Sequence, residues 1–150
     1  MSYKGKKFFI TGGTGSLGQA IIKRLLPQGA EVIVYSRDEG KQALLFNGTP
    51  VKKVLGDVRD YDKLNTSIRI HKPDYILHTG ALKRIDDMEF YPDESIKTNT
   101  IGSDNVARAA LENNIEKCIL VSTDKACKPV NVYGATKFIA ERMFTNYDYT

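Results

Sequence analysis

The run Thr11-Gly12-Gly13-Thr14-Gly15-Ser16-Leu17-Gly18 constrains this chain more than any other stretch. It follows an apolar segment, Lys7–Ile10, and precedes an apolar-periodic one, Ala20–Leu26. The pattern reads as strand, glycine-rich turn, helix. Such a turn exposes backbone N–H groups at a helix N-terminus, where the helix dipole adds to their attraction for a pyrophosphate. Gly12 suits the tight turn, Gly15 the close approach of backbone to phosphate, and Gly18 the packing of helix on strand. Thr14, Ser16 and Leu17 complete the candidate cradle. The competing reading is a glycine-rich turn that holds no ligand.

Strand-like apolar runs then recur: Lys7–Thr11, Glu31–Tyr35, Val51–Leu55, Tyr75–His78 and Cys118–Ser122. Helix-like segments lie between them. These are Ser16–Leu26 (closed by Pro27 and Gly29), a short piece at Lys41–Phe46, Tyr61–Ile70, a long helix over Asp93–Asn113 and a last one over Asn131–Tyr147. Regular alternation predicts an α/β fold, a doubly wound parallel sheet of Rossmann type with at least five strands and the first near its centre. At 150 residues, one dinucleotide-binding domain over residues 1–150 is expected.

The net charge of +4 comes from scattered basic residues, with no Lys/Arg block, so nucleic acid is not an expected partner. Lys4, Lys6 and Lys7 read as a solvated face. No stretch approaches the ~20 apolar residues of a membrane helix, and no membrane partner or signal peptide is expected. The two cysteines, Cys118 and Cys127, lack metal-ligand or CxxC spacing. A reducing, cytoplasmic setting and no metal are expected, with His71 and His78 structural.

The end of the second strand bears on cofactor choice. An acidic residue there accepts the ribose 2′-hydroxyl of NAD, whereas Ser36 and Arg37 suit the 2′-phosphate of NADP, Arg37 by a forked contact. NADP is preferred. If Asp38 faces the ribose instead, NAD is the cofactor. After the third strand, Asp57 and Val58 fall where an adenine would lie, and Asp57 can accept from its amino group. A helix N-cap is the other use for an aspartate here, and Asp60 suits it as well.

Ser122-Thr123-Asp124-Lys125 closes the fifth strand at the end where open α/β sheets bind ligands. Tyr133 and Lys137, four residues apart, share one helix face. A free tyrosine titrates at ~10, and a neighbouring ammonium lowers that value. The pair suits removal of a hydroxyl proton while hydride leaves for a nicotinamide. A solvated helix face is the bland alternative.

The segments TGGTGSLG, YSRDE, GDVRD, HTGALKR, KTNTIGSDNV, STDKA and NVYGATK, in that order, resemble the extended short-chain dehydrogenases/reductases. Within them the chain is most similar to the N-terminal part of the nucleotide-sugar 4,6-dehydratases of polysaccharide biosynthesis, especially the inverting UDP-N-acetylglucosamine 4,6-dehydratases. STDKA before YGATK is the discriminating feature. The resemblance implies a nucleotide-sugar substrate, transient C4 oxidation, loss of water and C6 reduction. It implies Tyr133 as base for the 4-hydroxyl, Lys137 as partner to Tyr133 and the ribose, and Thr123 as hydrogen-bond partner of the 4-oxygen. It also implies Lys125 as base for the C5 proton and Asp124 as acid for the departing C6 hydroxyl. Lys83 falls near the substrate and Asn99 at the asparagine that supports the site. Helices 93–113 and 131–147 match those that pair between subunits, which implies a homo-oligomer. Members are longer, and the C-terminal part that builds most of the sugar pocket is expected to be absent. The alternatives are a non-catalytic NADP-binding module or truncated member, and an epimerase or reductase of the same family.

Overall fold

The structure is a computed structural model and describes residues 3–147. Five strands, β1 (Lys7–Thr11), β2 (Glu31–Ser36), β3 (Lys52–Leu55), β4 (Tyr75–His78) and β5 (Lys117–Leu120), form one sheet in the order β3-β2-β1-β4-β5. Every pairing is parallel. The chain runs outward from β1 to β3, then crosses back to place β4 on the other side of β1. That reversal opens a crevice at the carboxyl ends of β1 and β4, where doubly wound sheets hold ligands.

Alternation along the inner strands explains why both faces are covered. Phe8, Ile10, Val32 and Val34 point to one face and pack with Ile22 and Leu25 of α1 (Ser16–Leu25) and Phe46 of α2 (Glu39–Phe46). Phe9, Ile33, Tyr35 and Ile76 point to the other, against Leu64 and Ile68 of α3 (Tyr61–His71). The two outer strands are far more exposed.

The remaining elements depart from the sequence reading in instructive places. A helix α4 (Ile85–Phe90) occupies a charged stretch with no apolar period, and only Met88 of it is buried. The long helix expected over 93–113 is three pieces: α5 (Pro92–Ser95), a π-helical stretch over Ile96–Ile101 and α6 (Gly102–Glu112). The wider π turn carries Thr98, Asn99 and Thr100 inward together, all buried. The helix expected from Asn131 is α7 (Val132–Tyr147), with Asn131 as its side-chain cap. Strand β5 stops at Leu120, so Ser122 and Thr123 lie beyond it rather than within it. A 3₁₀ turn, Asp124–Ala126, comes next. Pro27 sits inside a short 3₁₀ turn after α1, and Gly29 at φ +79° ends it.

Candidate functional site

Gly12 has φ +68°, and a Cβ there would fall 2.6 Å from the Gly80 Cα. The turn after β1 therefore touches the turn after β4 backbone to backbone. Gly18 fits equally tightly, since its Cβ would lie 2.6 Å from the Gly13 Cα. Gly13 in turn faces Val34, whose Cγ2 would be 2.7 Å from an added Cβ, a constraint the three-glycine spacing does not reveal. Gly15 is the N-cap of α1 and offers no side-chain cap, and no acidic residue stands in the first turn. Its leading N–H groups are open to an anion.

A cavity of about 320 Å³ lies beside this turn. It gathers Gly12, Thr14 and Gly15 from the first turn, Ser36 and Arg37 from the end of β2, and Asp57 and Val58 from after β3. Lys83 also lines it, so this side chain faces the cavity of the glycine turn. Ser16 and Leu17 are exposed outside that lining, and Gly18 is buried in the turn itself. Lys41, Thr79, Ala81 and Thr98 are among the contributors that escaped the sequence reading. Thr98 is 4% exposed, and its hydroxyl has no hydrogen-bond partner. Only the π turn brings it to the cavity, and no periodicity signals a π turn.

The geometry separates the carboxylates near β2 and β3. Asp38 caps α2, accepting the Lys41 N–H at 2.8 Å, and its other oxygen lies 3.3 Å from Lys41 Nζ. Asp60 caps α3 in the same way, from the Lys63 N–H at 3.0 Å. Asp38 still borders the cavity beside Arg37 and Lys41, and Asp57 lines it without capping a helix. Burial acts to raise its carboxyl, but the Arg59 side chain and amide, with Arg37, hold it below the usual range. Arg59 contacts it at 2.7 Å and Arg37 at 3.5 Å. Gln42 is buried, and its Nε2 donates to the carbonyls of Ser36 and Val54 at 3.0 and 2.9 Å. Two carbonyls fix which end of the amide is nitrogen. Ser36 Oγ lies 2.8 Å from that nitrogen, which cannot accept a proton from it. Its own proton remains to be donated elsewhere.

The second group lies on the turn after β5 and the start of α7. Thr123 donates to Asp124 Oδ1 at 3.0 Å, and Lys125 Nζ lies 3.4 Å from the same oxygen. Hydrogen bonds from Thr123 and Lys125 hold the exposed Asp124 carboxyl below its ordinary value. The Ser122 hydroxyl just before them is buried and unpartnered. A Cβ on Gly134 would fall 2.4 Å from the Lys125 carbonyl oxygen, so this turn seats directly on the first turn of α7. Asn131 accepts the Gly134 N–H and Glu89 accepts the Val132 N–H, each at 2.7 Å. Tyr133 is half-buried in that turn. Lys137, one turn on, is 2% exposed, and burial pulls its ammonium down to about 8.

Asn99, fully buried, ties the two groups together. It accepts the Leu82 N–H at 2.8 Å, donates to the Leu82 carbonyl at 2.9 Å and reaches Thr136 Oγ1 at 3.3 Å. Thr136 in turn donates to the Tyr133 carbonyl at 2.9 Å. Asp124, Lys125, Tyr133 and Lys137 do not line the cavity by the glycine turn. They form a neighbouring group joined to it through this asparagine.

Residues 8–150 match the family described as "Polysaccharide biosynthesis protein". The chain belongs to this polysaccharide biosynthesis family. Among curated relatives, it is 44% identical over 147 residues to a UDP-N-acetylglucosamine 4,6-dehydratase (inverting) of Campylobacter jejuni, covering 95% of this chain and 43% of that one. It is 41% identical over 146 residues to a UDP-glucose 4-epimerase of Rickettsia conorii, covering 92% and 42%. The chain thus spans less than half the length of the curated relatives it matches. Among solved structures, Pen from Bacillus thuringiensis superimposes with a TM-score of 0.95 at 36% identity, over 100% of this chain and 47% of that one. WbmG of Bordetella bronchiseptica, solved in complex with NAD, gives 0.83 at 28%, over 93% and 49%. This polysaccharide biosynthesis chain therefore shares the fold of the short-chain dehydrogenases/reductases and their nucleotide-sugar branch.

Among the described residues no helix is long and apolar enough to cross a membrane, and no group of His, Cys, Asp or Glu could hold a metal ion.

Proposed function

We propose that the chain carries the cofactor and acid–base half of a nucleotide-sugar 4,6-dehydratase acting on a UDP-N-acetylglucosamine-type substrate with NADP. The observation that carries this reading is the Thr123-Asp124-Lys125 turn seated on the first turn of α7 beside Tyr133. Oxidation at C4 alone needs one base. Elimination needs a second base and an acid, and this turn supplies both types of group next to the first base.

The cavity fits a dinucleotide on three counts. Gly12 and Gly80 leave no side chain at its floor, α1 presents uncapped N–H groups, and Thr98 aims an unpaired hydroxyl at it. Asp38 borders the cavity with both oxygens engaged by Lys41, while Ser36 keeps a free proton and Arg37 and Lys41 add positive charge. That set suits a 2′-phosphate, hence NADP over NAD. Asp57 and Val58 meet the adenine end.

The nicotinamide, when bound, supplies a hydride acceptor at C4 and later a donor at C6. Tyr133, as phenolate, takes the proton of the 4-hydroxyl. Lys137, buried one turn on, places its ammonium on the same helix face. The 4-ketone acidifies the C5 proton, which Lys125 removes. Asp124 protonates the C6 hydroxyl, which leaves as water, and Lys125 returns a proton to C5. The proton gained by Tyr133 balances the one given by Asp124. Thr123 orients the Asp124 carboxyl and the 4-oxygen, and Lys83 serves the dinucleotide cavity it lines. Asp124 is ionised while open to solvent, so its acid role requires a cover that excludes water and raises it again. The working unit is a dimer through the helices at 93–113 and 131–147. An exposed free Cys127 suits a reducing cytoplasm.

The test is incubation with UDP-N-acetylglucosamine and NADP. A 4-keto-6-deoxy product that disappears in Tyr133→Phe is the expected result. Tight NADP binding without product makes the chain alone a binding module. The epimerase relative supports a second reading, and a C4-inverted sugar with its C6 hydroxyl intact would establish it.

A further inference from the structure

His78 closes β4, is 1% exposed and plays no part in the chemistry above. Its surroundings fix the direction of every hydrogen bond it makes. The Ser103 hydroxyl lies 2.6 Å from the Asn99 carbonyl oxygen, which has no proton to give, so Ser103 donates there. Having spent its proton, Ser103 Oγ can only accept from His78 Nε2 at 3.0 Å. Nε2 therefore carries a hydrogen. Burial, with the nearby Lys137 ammonium, keeps the imidazole neutral and holds it down to about 3. Nδ1 is consequently bare and accepts from the Thr11 hydroxyl at 2.6 Å. Thr11 Oγ1 is left to accept the Gly80 N–H at 3.4 Å. Phe144 stacks on the imidazole with its centroid 6.3 Å away and its plane 5° off parallel. A ring flip would forfeit both polar contacts.

The result is a one-way chain: Gly80 to Thr11 to His78 to Ser103 to Asn99. At one end stand the residues that bring the glycine turn against the cavity wall. At the other stands the asparagine that grips Leu82 and reaches the Tyr133 turn. We propose that His78 is a positioning residue, locked in its Nε2–H tautomer, that sets the spacing between the glycine turn and the π-helical stretch and thereby the affinity for the dinucleotide. The affinity role rests on the dinucleotide reading given above, while the tautomer does not.

The chain has only two histidines, so ¹⁵N spectra of labelled protein resolve the question directly. His78 is expected to show a protonated Nε2 and a bare Nδ1, unchanged on mild acidification. Titration calorimetry with NADP and with NAD then tests position. Thr11→Val is expected to weaken both by about 3- to 10-fold, the worth of one hydrogen bond, and Thr11→Ser to restore both. Loss of both together marks the shared pyrophosphate end rather than the 2′ position. Ser103→Ala, which deletes a single buried oxygen, is expected to change the His78 tautomer signal and weaken both ligands to the same degree. A protonated Nδ1 in the parent overturns the chain of bonds. Parent-like affinity in Thr11→Val or in Ser103→Ala overturns the positioning role. A parent that binds neither dinucleotide overturns the cofactor reading and the affinity role with it, and the spectrum still judges the tautomer.

Discussion

In the proposed function, single side chains decide cofactor choice and base strength. Arg37 is half-exposed and only loosely held by Asp57, so it is free to turn to a phosphate. Arg37→Ala is expected to cost NADP about tenfold in affinity and to leave NAD unchanged, measured by calorimetry. Asp38→Ala should weaken the start of α2 without altering the ratio of the two affinities. A selective loss of NAD binding in that variant would return Asp38 to the ribose. Lys137 bears on base strength through its burial. Its folded value of about 8 lies below the ordinary 10.5. Between those values the unfolded chain holds a proton that the folded chain has released, so this group adds stability as pH rises through that window. At neutral pH both states are charged, and burying the ammonium costs roughly 3 kcal/mol. Lys137→Met is expected to be more stable than the parent by up to that amount at about pH 7, with the gap closing toward about pH 10 in urea titrations. Stability sacrificed at a buried charge is what a tuned base requires.

Elements explain what could be read in advance. The inner strands and α1 were legible because strand alternation and glycine spacing are local signals, and Phe8 to Ile10 carry them plainly. The order of the sheet followed from alternation and handedness. The π-helical stretch was not legible, since IKTNTI has nothing to distinguish it from an α-helical turn until Asn99 finds Leu82 and Thr136. Helix α4 was hidden because its residues are mostly solvated. No sequence rule tells which of Asp38 and Asp57 caps a helix; the fold decides it by placing Asp38 at the N-terminus of α2, and both carboxylates border the cavity. Glycines make the same point by experiment. Gly134→Ala drives a methyl into the Lys125 carbonyl and is expected to destabilise the chain by ~1–3 kcal/mol. Gly40→Ala, whose Cβ would meet only Asp38 Oδ1 at an ordinary 3.6 Å, is expected to stabilise α2 by ~0.5 kcal/mol. Thermal unfolding separates the two, and equal shifts would mean the Lys125 turn yields freely.

At the scale of the whole molecule, two apolar regions among the described residues bear on assembly. One is a groove of about 750 Å³ along β5, α6 and α7, with Ile119 and Leu111 half-exposed. The other is on the π-helical stretch and α7, where Ile96, Ile101, Phe138 and Ile139 are each more than two-fifths exposed. The first follows the free edge of a parallel sheet, whose unpaired N–H and C=O groups demand a strand rather than a helix. The second comprises side chains alone, with backbone already paired inside its helices, and so suits a second copy of the same helices in a symmetric contact. These physical differences make the dimer reading specific. Sedimentation of the chain is expected to show a dimer that Ile139→Asp dissociates and Ile119→Asp leaves intact. Dissociation by Ile119→Asp instead would move the contact to the sheet edge, and a monomer at every concentration would remove it.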